Sequence, residues 1–372
     1  MRVGILTFHY AFNHGAALQT YATQELLRGM GHKVEVIDYH NQAVDGFYDS
    51  MRFHLAPLLR KRKKRYLLSP ILFWLQRRAF KRFKRKNLLI SETRYKQVKY
   101  AKPPVDLASR YDVILIGSDQ VWNLNITNGF DQWYWGNFTT DGIAPKAKIA
   151  TWSVCMNNTC LADGETDQMS GYLKNFDALS VRENDLQQLV SRLTKTIVAQ
   201  TLDPTLLLPV EKWKSLCHKV KPKNYVAVYA INFWDKRRLT RVARRLAERE
   251  GLSLVLLRVY VETGSLSDAL QGCGPEEFLS YMNGARYVVT SSFHGTAYSL
   301  LFKKQFFCVI DPEMGNVRVE NLLRLSDKKD RIIGYDEEFN QITPIDYSQY
   351  DVEKVLAAER ERSMDYLKGL FA

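Results

Sequence analysis

The sequence predicts an α/β protein built from two Rossmann-like halves that face a cleft. Short apolar strands alternate with amphipathic helices over most of the chain, which is the pattern of parallel sheets covered by helices. Polar residues follow several of these strands where they end, and that edge of a parallel sheet is where ligands bind. A connecting stretch over residues 198–210 separates the halves, and a cleft between two such halves is the usual substrate site.

These features divide the chain into three parts. Residues 1–197 are expected to form the N-terminal Rossmann-like domain, with a basic helical insertion over residues 45–105. Residues 198–349 are expected to form the C-terminal Rossmann-like domain, and residues 350–372 a terminal helix that is charged on one side. The α/β alternation restarts with a strand near Tyr225, which supports the placement of the hinge.

The N-terminal domain opens with a strand at Arg2–Thr7 and a helix at Gly15–Met30. The GxGxxG motif is missing from this unit, which argues against a dinucleotide site. The connecting loop carries His9, Asn13, His14 and Gly15 instead. Because this loop begins at the carboxyl end of a strand, we expect Asn13 and Gly15 to border the ligand site.

A second polar burst follows a strongly apolar strand at residues 112–117. It reads Gly117-Ser118-Asp119-Gln120-Val121-Trp122-Asn123, and we expect Asp119, Gln120 and Trp122 to face the same edge of the sheet. Aromatic residues at position 130 and positions 133–135 follow closely. Such rings either stack on sugar faces or fill a core, and the sequence leaves both alternatives open.

The most informative stretch lies in the C-terminal domain. Tyr287–Thr290 is a β-branched strand, Ser291–Gly295 a polar loop, and Thr296–Phe302 a helix that precedes a second strand at Phe306–Ile310. His294 is therefore expected beside a helix start, whose N–H groups and dipole favour a phosphate or carboxylate. A histidine there can exchange protons with a ligand near neutral pH, or it can only hydrogen-bond the loop.

Composition indicates an ordinary globular protein of a reducing compartment. The chain of 372 residues is 46% hydrophobic and 25% charged. Five cysteines, an odd number without CxxC spacing, argue against a disulfide framework. The N-terminal apolar run is too short for a signal peptide, and no stretch approaches about 20 uninterrupted apolar residues. We expect a cytoplasmic location, with peripheral attachment at the inner face of the membrane left open.

The formal net charge of +13 is concentrated in one segment, residues 58–102, which we call the basic segment. It holds 17 Lys/Arg and one acidic residue, Glu92, so the remainder has 36 basic and 39 acidic residues. A cationic run at residues 60–65 precedes a helix that Ser69-Pro70 would start. Four apolar residues share one face of that helix, namely Leu72, Leu75, Ala79 and Phe83.

This helix has two plausible surroundings. With Trp74, Phe80 and Phe83 among its cations, it can lie on an anionic membrane surface. It can instead pack on the domain and expose a solvated cationic face. Nothing else in the sequence resembles a nucleic-acid module, so we expect no nucleic-acid partner.

Five motifs, in order along the chain, resemble the polysaccharide pyruvyl transferase family. They are Asn13–Tyr21 (NHGAALQTY), Gly117–Asn123 (GSDQVWN), Ser180–Glu183 (SVRE), Asp203–Thr205 (DPT) and Ser292–Thr296 (SFHGT). The resemblance implies a glycosyltransferase-B-like pair of domains. It also implies transfer of pyruvate from phosphoenolpyruvate onto two hydroxyls of a sugar, which gives a ketal and free phosphate. Phosphoenolpyruvate would be the co-substrate, with no further cofactor and no metal.

The resemblance assigns roles to particular residues. The N-terminal domain would take the acceptor, a sugar of a cell-surface polysaccharide or its lipid-diphosphate-linked precursor, and the C-terminal domain would take the donor. His294 would be the catalytic acid/base, and Arg182 would clamp the donor, because a guanidinium fork matches phosphate or carboxylate. The other expected donor residues are Ser292, Phe293, Gly295, Thr296 and Arg318. The expected acceptor residues are Asn13, Gly15, Asp119, Gln120 and Trp122.

Three points keep alternatives open. Many family members carry an arginine where this chain has Ser292, and some carry a lysine where it has Glu313; Arg318 is the nearest replacement. Arg182 could instead form a helix-start ion pair with Glu183 or Asp185. The chain could also be a glycosyltransferase of the same architecture that uses a nucleotide sugar, or a non-catalytic protein that binds membranes or polyanions through the basic segment.

Overall fold

The computed structural model describes residues 1–49, 69–97, 101–138, 145–157, 159–221, 223–231, 233–258, 274–311, 315–334 and 343–372. Contacts divide the chain into two compact units. The first unit comprises Met1–Asp49, Arg85–Leu208 and Ala358–Ala372; the second comprises Ser50–Lys84 and Pro209–Ala357. Glu313 and the cationic run at 60–65 lie outside the described residues.

The first unit contains a seven-stranded sheet in the order β3-β2-β1-β4-β5-β6-β7, and each neighbouring pair is parallel. Its strands are β1 (Arg2–Leu6), β2 (Lys33–His40), β3 (Ile90–Lys96), β4 (Val113–Asp119), β5 (Lys148–Val154), β6 (Ser180–Val181) and β7 (Ala199–Gln200). Its helices are His14–Gly29, Gln42–Asp49, Val105–Ser109, Leu124–Thr127, Glu165–Leu173, Asn184–Thr194 and the 3-10 turn Pro204–Leu206, with most of Ala357–Gly369. Every residue of β4 is buried, as expected for a central parallel strand that is covered on both faces.

The second unit contains a five-stranded parallel sheet in the order β12-β11-β10-β8-β9. Its strands are β8 (Tyr225–Ala230), β9 (Ser253–Arg258), β10 (Tyr287–Thr290), β11 (Gln305–Val309) and β12 (Ile332–Ile333). Its helices are Val210–Lys214, Phe233–Glu250, Pro275–Gly284, Phe293–Leu301, Val317–Leu325, the 3-10 turn Lys329–Arg331 and Val352–Val355. Two parallel sheets covered by helices confirm the predicted α/β class. The cleft between the halves stays a prediction.

The units differ from the predicted domains at three places. Residues 198–208 belong to the first unit, because β7 pairs with β6 and thereby extends the first sheet. Of the predicted insertion, residues 69–84 belong to the second unit rather than to the N-terminal one, whereas residues 85–105 belong to the first unit, because β3 pairs with β2. The terminal helix is interrupted near Leu356, and its last part packs in the first unit, where Tyr366 Oη donates to the Thr151 carbonyl at 2.8 Å.

The helix of the basic segment extends from Ser69 to Asn87. The side chains that it buries differ from those predicted. Gln76, Phe80 and Phe83 are buried, whereas Leu75 and Ala79 are only half-buried. The interpretation of Phe80 and Phe83 as membrane contacts is therefore wrong, because both rings are buried in the protein. Trp74 is 55% exposed, and the Arg78 guanidinium lies 5.3 Å from the centre of its ring.

The exposed side of this helix is cationic. Arg78, Lys81, Arg82, Arg85 and Lys86 are all exposed there. Arg82 also pairs with Glu277 at 3.0 Å, which ties the helix to the start of Pro275–Gly284. Across the part of the chain that the structure describes, no helix combines the length and the apolar character that a membrane span requires.

Candidate functional site

The first unit has its topological switch point between β1 and β4. After β1 the chain turns to β2 and β3 on one side of the sheet, and β4 begins the other side. Ligands of open parallel sheets bind at the carboxyl ends of the strands that flank such a point. Here those ends are joined by Thr7, whose Oγ1 donates to the Ser118 carbonyl at 2.9 Å. The amide of Gln19 in turn donates to Thr7 Oγ1 at 2.9 Å.

The helix His14–Gly29 begins directly after this edge. Asn13 is its N-cap, and Asn13 Oδ1 accepts from the Ala16 N–H at 3.2 Å. His14 and Gly15 form the first turn, which is buried and contains no acidic residue. A first turn of this kind presents N–H groups and positive dipole charge to an anion. The structure thus brings Asn13 and Gly15 to the switch point.

The β4 end holds two of the three residues predicted there. Asp119 has a φ of 76°, an uncommon conformation for a residue with a side chain, and its carboxylate accepts from the Gln120 N–H at 2.9 Å. Gln120 Oε1 accepts from Asn123 Nδ2 at 2.7 Å. The interpretation of Trp122 as an acceptor residue is wrong. Its ring is fully buried, stacks on Trp135 at 4.4 Å, and donates to the Tyr134 carbonyl.

The nearby aromatic residues also pack in or against the core. Trp133, Tyr134 and Trp135 are buried in the hydrophobic core of the first unit. Phe130 is only partly buried and packs against that core, with its ring stacked on Tyr172 at 5.5 Å. Of the two alternatives that the sequence left open for this run, the structure therefore supports packing.

Arg182 lies beneath the β4 end in a buried polar cluster. Its Nη2 is 2.6 Å from Asp203 Oδ2, and it also donates to Ser118 Oγ. Burial lowers the pKa of Arg182, but the Asp203 carboxylate outweighs that effect, so the pKa stays above its ordinary value. The pair with Asp203 was not among the ion pairs that the sequence suggested, and the Glu183 carboxylate also helps to raise the pKa of Arg182. The cluster joins three of the sequence motifs, since Ser118 belongs to Gly117–Asn123, Arg182 to Ser180–Glu183 and Asp203 to the Asp-Pro-Thr turn.

In the second unit, His294 lies inside a helix rather than in a loop before it. The helix begins at Phe293, three residues earlier than predicted, because Ser292 is its N-cap and accepts from the Gly295 N–H at 3.4 Å. His294 is therefore in the first turn, directly after β10, and is 4% exposed. Its ring meets Phe293 edge to face, with the ring centres 5.2 Å apart.

Two of the expected donor residues fix this helix start against the sheet. Gly295 approaches β10 so closely that a Cβ would overlap the Thr290 side chain. Thr296 is fully buried, and its Oγ1 donates to the Ser292 carbonyl at 3.0 Å. Thr290 Oγ1 accepts from the Ser292 N–H at 3.0 Å and donates to the Tyr229 carbonyl at 2.7 Å. These contacts give Gly295 and Thr296 a positioning role for His294.

A second helix start lies against the same edge. Asn316 caps the helix Val317–Leu325, and its Nδ2 donates to the Ser291 carbonyl at 2.9 Å. This hydrogen bond holds the first turn, and with it the half-buried Arg318, next to the Ser291-Ser292 bend. The structure thus brings Arg318 to the His294 edge. Sequence analysis missed Asn316, although asparagine before an apolar helix is a recognisable cap signal.

One comparison with known proteins, against family profiles, agrees with the motifs. The profile of the family described as polysaccharide pyruvyl transferase matches residues 13–311. No curated protein matches the chain. Among solved structures, UDP-GlcNAc 2-epimerase from Neisseria meningitidis bound to UDP-GlcNAc is similar, with 10% identity and a TM-score of 0.49 over 99% of this chain and 100% of that one. An O-GlcNAc transferase mutant from Thermobaculum terrenum has 12% identity and a TM-score of 0.40 over 100% and 64%.

The two parallel sheets covered by helices define an α/β protein with Rossmann-like units. The chain belongs to the polysaccharide pyruvyl transferase family, because the family profile covers most of its length. It is therefore a transferase, as the sequence motifs predicted.

Proposed function

We propose that this transferase moves pyruvate from phosphoenolpyruvate onto two hydroxyls of a sugar in a cell-surface polysaccharide, such as an exopolysaccharide or capsule, or in its lipid-linked precursor. The observation that carries the proposal is the buried His294 in the first turn of a helix that follows β10 directly. An imidazole there stands beside N–H groups that favour a phosphate or carboxylate, so a proton donor and an anion site coincide.

The reaction needs an acid and a base. Protonation of the donor's methylene carbon produces an oxocarbenium-like centre, which the first sugar hydroxyl attacks while losing its proton. Loss of phosphate then regenerates an electrophilic carbon, and the second hydroxyl attacks it to close the ketal. Of the two hydroxyl protons released, one balances the proton that became part of the methyl group, and the other leaves with phosphate or solvent. His294 is the proposed acid/base for these transfers.

The donor is a small anion with several charges, so its site needs cations and N–H donors. Two helix starts meet this need, Phe293–Leu301 and Val317–Leu325, the second with Arg318 in its first turn. Arg318 takes the role that an arginine at position 292 would have. Arg182 is the proposed clamp on the donor, which requires its guanidinium to exchange part of its contact with Asp203 or Ser118 for the donor.

The acceptor belongs to the first unit in this proposal. The start of His14–Gly29 suits the diphosphate of a lipid-linked sugar, because its first turn lacks acidic residues. Asp119 and Gln120 offer oxygen and amide groups to sugar hydroxyls. Asn123 and the Gln120 N–H hold both side chains in place.

The basic segment supports attachment to an anionic membrane surface. Its described helix exposes Trp74 with a row of cations, an arrangement suited to the interface of a bilayer. A lipid-linked acceptor would give this attachment a purpose, since it would keep the enzyme near its substrate.

Release of inorganic phosphate from phosphoenolpyruvate tests the proposal. The full-length protein is incubated with phosphoenolpyruvate and a panel of lipid-linked and nitrophenyl sugars. The masses of the products are measured by mass spectrometry. We expect phosphate release that requires a sugar, and a product with the added mass of a pyruvate ketal. Release of a nucleoside diphosphate from nucleotide sugars, without turnover of phosphoenolpyruvate, would overturn the proposal in favour of glycosyl transfer.

A further inference from the structure

Three polar side chains converge at the carboxyl edge of the first sheet, away from Arg182. His9 follows β1, while Asp38 and His40 lie two residues apart on β2 and so share one face of that strand. His9 Nε2 lies 2.9 Å from Asp38 Oδ1, and His40 Nε2 lies 3.0 Å from the same oxygen. Three potential ligand atoms thus lie within 4.8 Å of one another.

The other ring nitrogens face hydrogen-bond acceptors. His9 Nδ1 is 3.3 Å from the Thr7 carbonyl, and His40 Nδ1 is 3.1 Å from Asp45 Oδ2. A carbonyl and a carboxylate only accept hydrogen bonds, so each Nδ1 is placed to donate. In the tautomer that carries its proton on Nδ1, each Nε2 directs a lone pair at Asp38 Oδ1, and a cation bound there joins the three atoms.

A divalent metal suits the charges of this cluster. Asp38 and Asp45 bring two carboxylates to the two imidazoles, and the largely exposed Arg94 donates from Nε to Asp38 Oδ2 at 2.7 Å. A dication binds the two Nε2 atoms and the Asp38 oxygen directly. Metal binding at histidines displaces the protons that the ligating nitrogens carry.

The spacing and the surroundings match a metal site. Ligands about 2.0–2.2 Å from a zinc ion lie about 3.0–3.5 Å from each other, so the two short separations need little adjustment. Metal-bound histidines donate their second N–H to a carboxylate or a carbonyl, and Asp45 and the Thr7 carbonyl lie within reach of His40 Nδ1 and His9 Nδ1. Ligating carboxylates are themselves hydrogen-bonded, as Asp38 is by Arg94.

We propose that His9, Asp38 and His40 form a binding site for one divalent transition-metal ion of the zinc type. The three ligands leave a further coordination position for water or for an oxygen of a bound molecule. Two imidazoles favour zinc and its neighbours over Mg²⁺ or Ca²⁺, which prefer oxygen ligands. The site goes beyond the proposed pyruvyl transfer, which uses no metal in any step.

Zinc titration of the full-length protein tests the site. The protein is first stripped with a chelator, and Zn²⁺ is then added in competition with a chromophoric chelator. We expect one Zn²⁺ per chain with high affinity, and no comparable effect of Mg²⁺. His40→Ala should abolish this binding, and Asp45→Asn should weaken it by about 10–100-fold, the usual effect of losing a hydrogen bond to a ligating histidine. His32→Ala, which removes an imidazole outside the cluster, should bind as the wild type does.

Cobalt provides a readout on the unaltered protein. Co²⁺ bound by two imidazoles and a carboxylate should give visible d–d bands without the ultraviolet charge-transfer band of a cysteine thiolate. Wild-type protein that retains no stoichiometric Zn²⁺ would overturn the proposal, as would a thiolate band. Folded His40→Ala protein that binds Zn²⁺ as tightly as the His32→Ala control would overturn it as well. These readouts measure metal alone, so they are independent of pyruvyl transfer.

Discussion

Arg182 and Asp203 form an ion pair in the interior of the first unit, with 2.6 Å between Nη2 and Oδ2. Both side chains are buried, and the pair joins the end of β6 to the turn that begins the 3-10 segment Pro204–Leu206. The same guanidinium donates to Ser118 Oγ at the end of β4. The pair thus couples the packing of three chain segments to the edge where we expect ligands.

Asp203→Asn should lower the free energy of unfolding by about 3–5 kcal/mol, because it leaves a buried guanidinium without its counter-charge. The asparagine can still accept from the Thr205 N–H, so the turn keeps its cap. Urea denaturation followed by circular dichroism measures the change. Asp106→Asn is the control, since its pair with Arg110 at 2.9 Å is exposed to solvent and should contribute little to stability. Equal losses in the two variants would contradict the special role of the buried pair.

Arg182→Lys should raise the KM for phosphoenolpyruvate by about tenfold or more, because lysine keeps the charge and loses the two-pronged fork. Steady-state phosphate release measures KM and kcat separately. Arg110→Lys, a substitution on the surface of the same unit, should leave both unchanged. A normal KM together with a lower denaturation midpoint would show that Arg182 only supports the fold.

His294→Ala should lower turnover by about 10²–10⁴-fold, the usual contribution of a positioned acid or base. The fold should survive, because the Ser292 cap and the Thr290 contacts do not involve the imidazole. Phosphate release measures turnover, and circular dichroism checks the fold. His218→Ala, in the same unit and hydrogen-bonded to Ser280, should retain activity. Unimpaired transfer by the His294 variant would remove this residue from catalysis.

Gly295→Ala should destabilise the second unit by about 1–3 kcal/mol, because the added methyl group overlaps the Thr290 side chain. Displacement of the helix start should also reduce kcat, since His294 lies in the same turn. The control is Gly171→Ala, where nothing lies within 4 Å of the added Cβ. The free energy of unfolding of that variant should rise by about 0.4–1 kcal/mol. Thermal denaturation of the two variants side by side checks the contrast.

The polar residues at the carboxyl edges of the sheets were predictable from the sequence. They follow apolar strands directly, and consecutive parallel strands end at the same edge of a sheet. The direction of individual side chains, toward the core or toward solvent, was not predictable. Trp122 and Phe80 are examples. Each lies next to polar residues along the chain, and only tertiary packing decides that its ring faces the core. The His9–Asp38 contact joins the loop after β1 to β2, so it depends on the β1–β2 pairing. The alternation of Asp38 and His40 on β2 was the available signal.

The start of the His294 helix shows a similar limit. Sequence spacing favoured a helix from Thr296, because the Ser-Ser-Phe-His-Gly stretch looks like a break. The structure extends the helix back to Phe293, since Ser292 supplies the cap and Gly295 allows close packing on β10. A serine followed by a glycine is compatible with both arrangements, and only the contact with Thr290 selects one.

The basic segment should bind anionic lipid in a salt-sensitive manner. It holds 17 Lys/Arg against one acidic residue, and each cation near an anionic surface contributes at most about 1 kcal/mol, which salt weakens. Replacing residues 60–65 with neutral residues should abolish binding to anionic liposomes in a flotation assay. Trp74→Ala should weaken it, because Trp74 is an aromatic residue that the helix exposes.

Transfer to a soluble acceptor should survive both changes, because the donor and acceptor residues lie at the sheet edges rather than in this segment. Neutralising Arg241, Arg244 and Arg245, exposed cations of the second unit, should leave lipid binding intact and so control for net charge. Equal binding to neutral and anionic liposomes would contradict the electrostatic attachment. A soluble-acceptor activity that disappears with the cationic run would instead assign the segment to the active site.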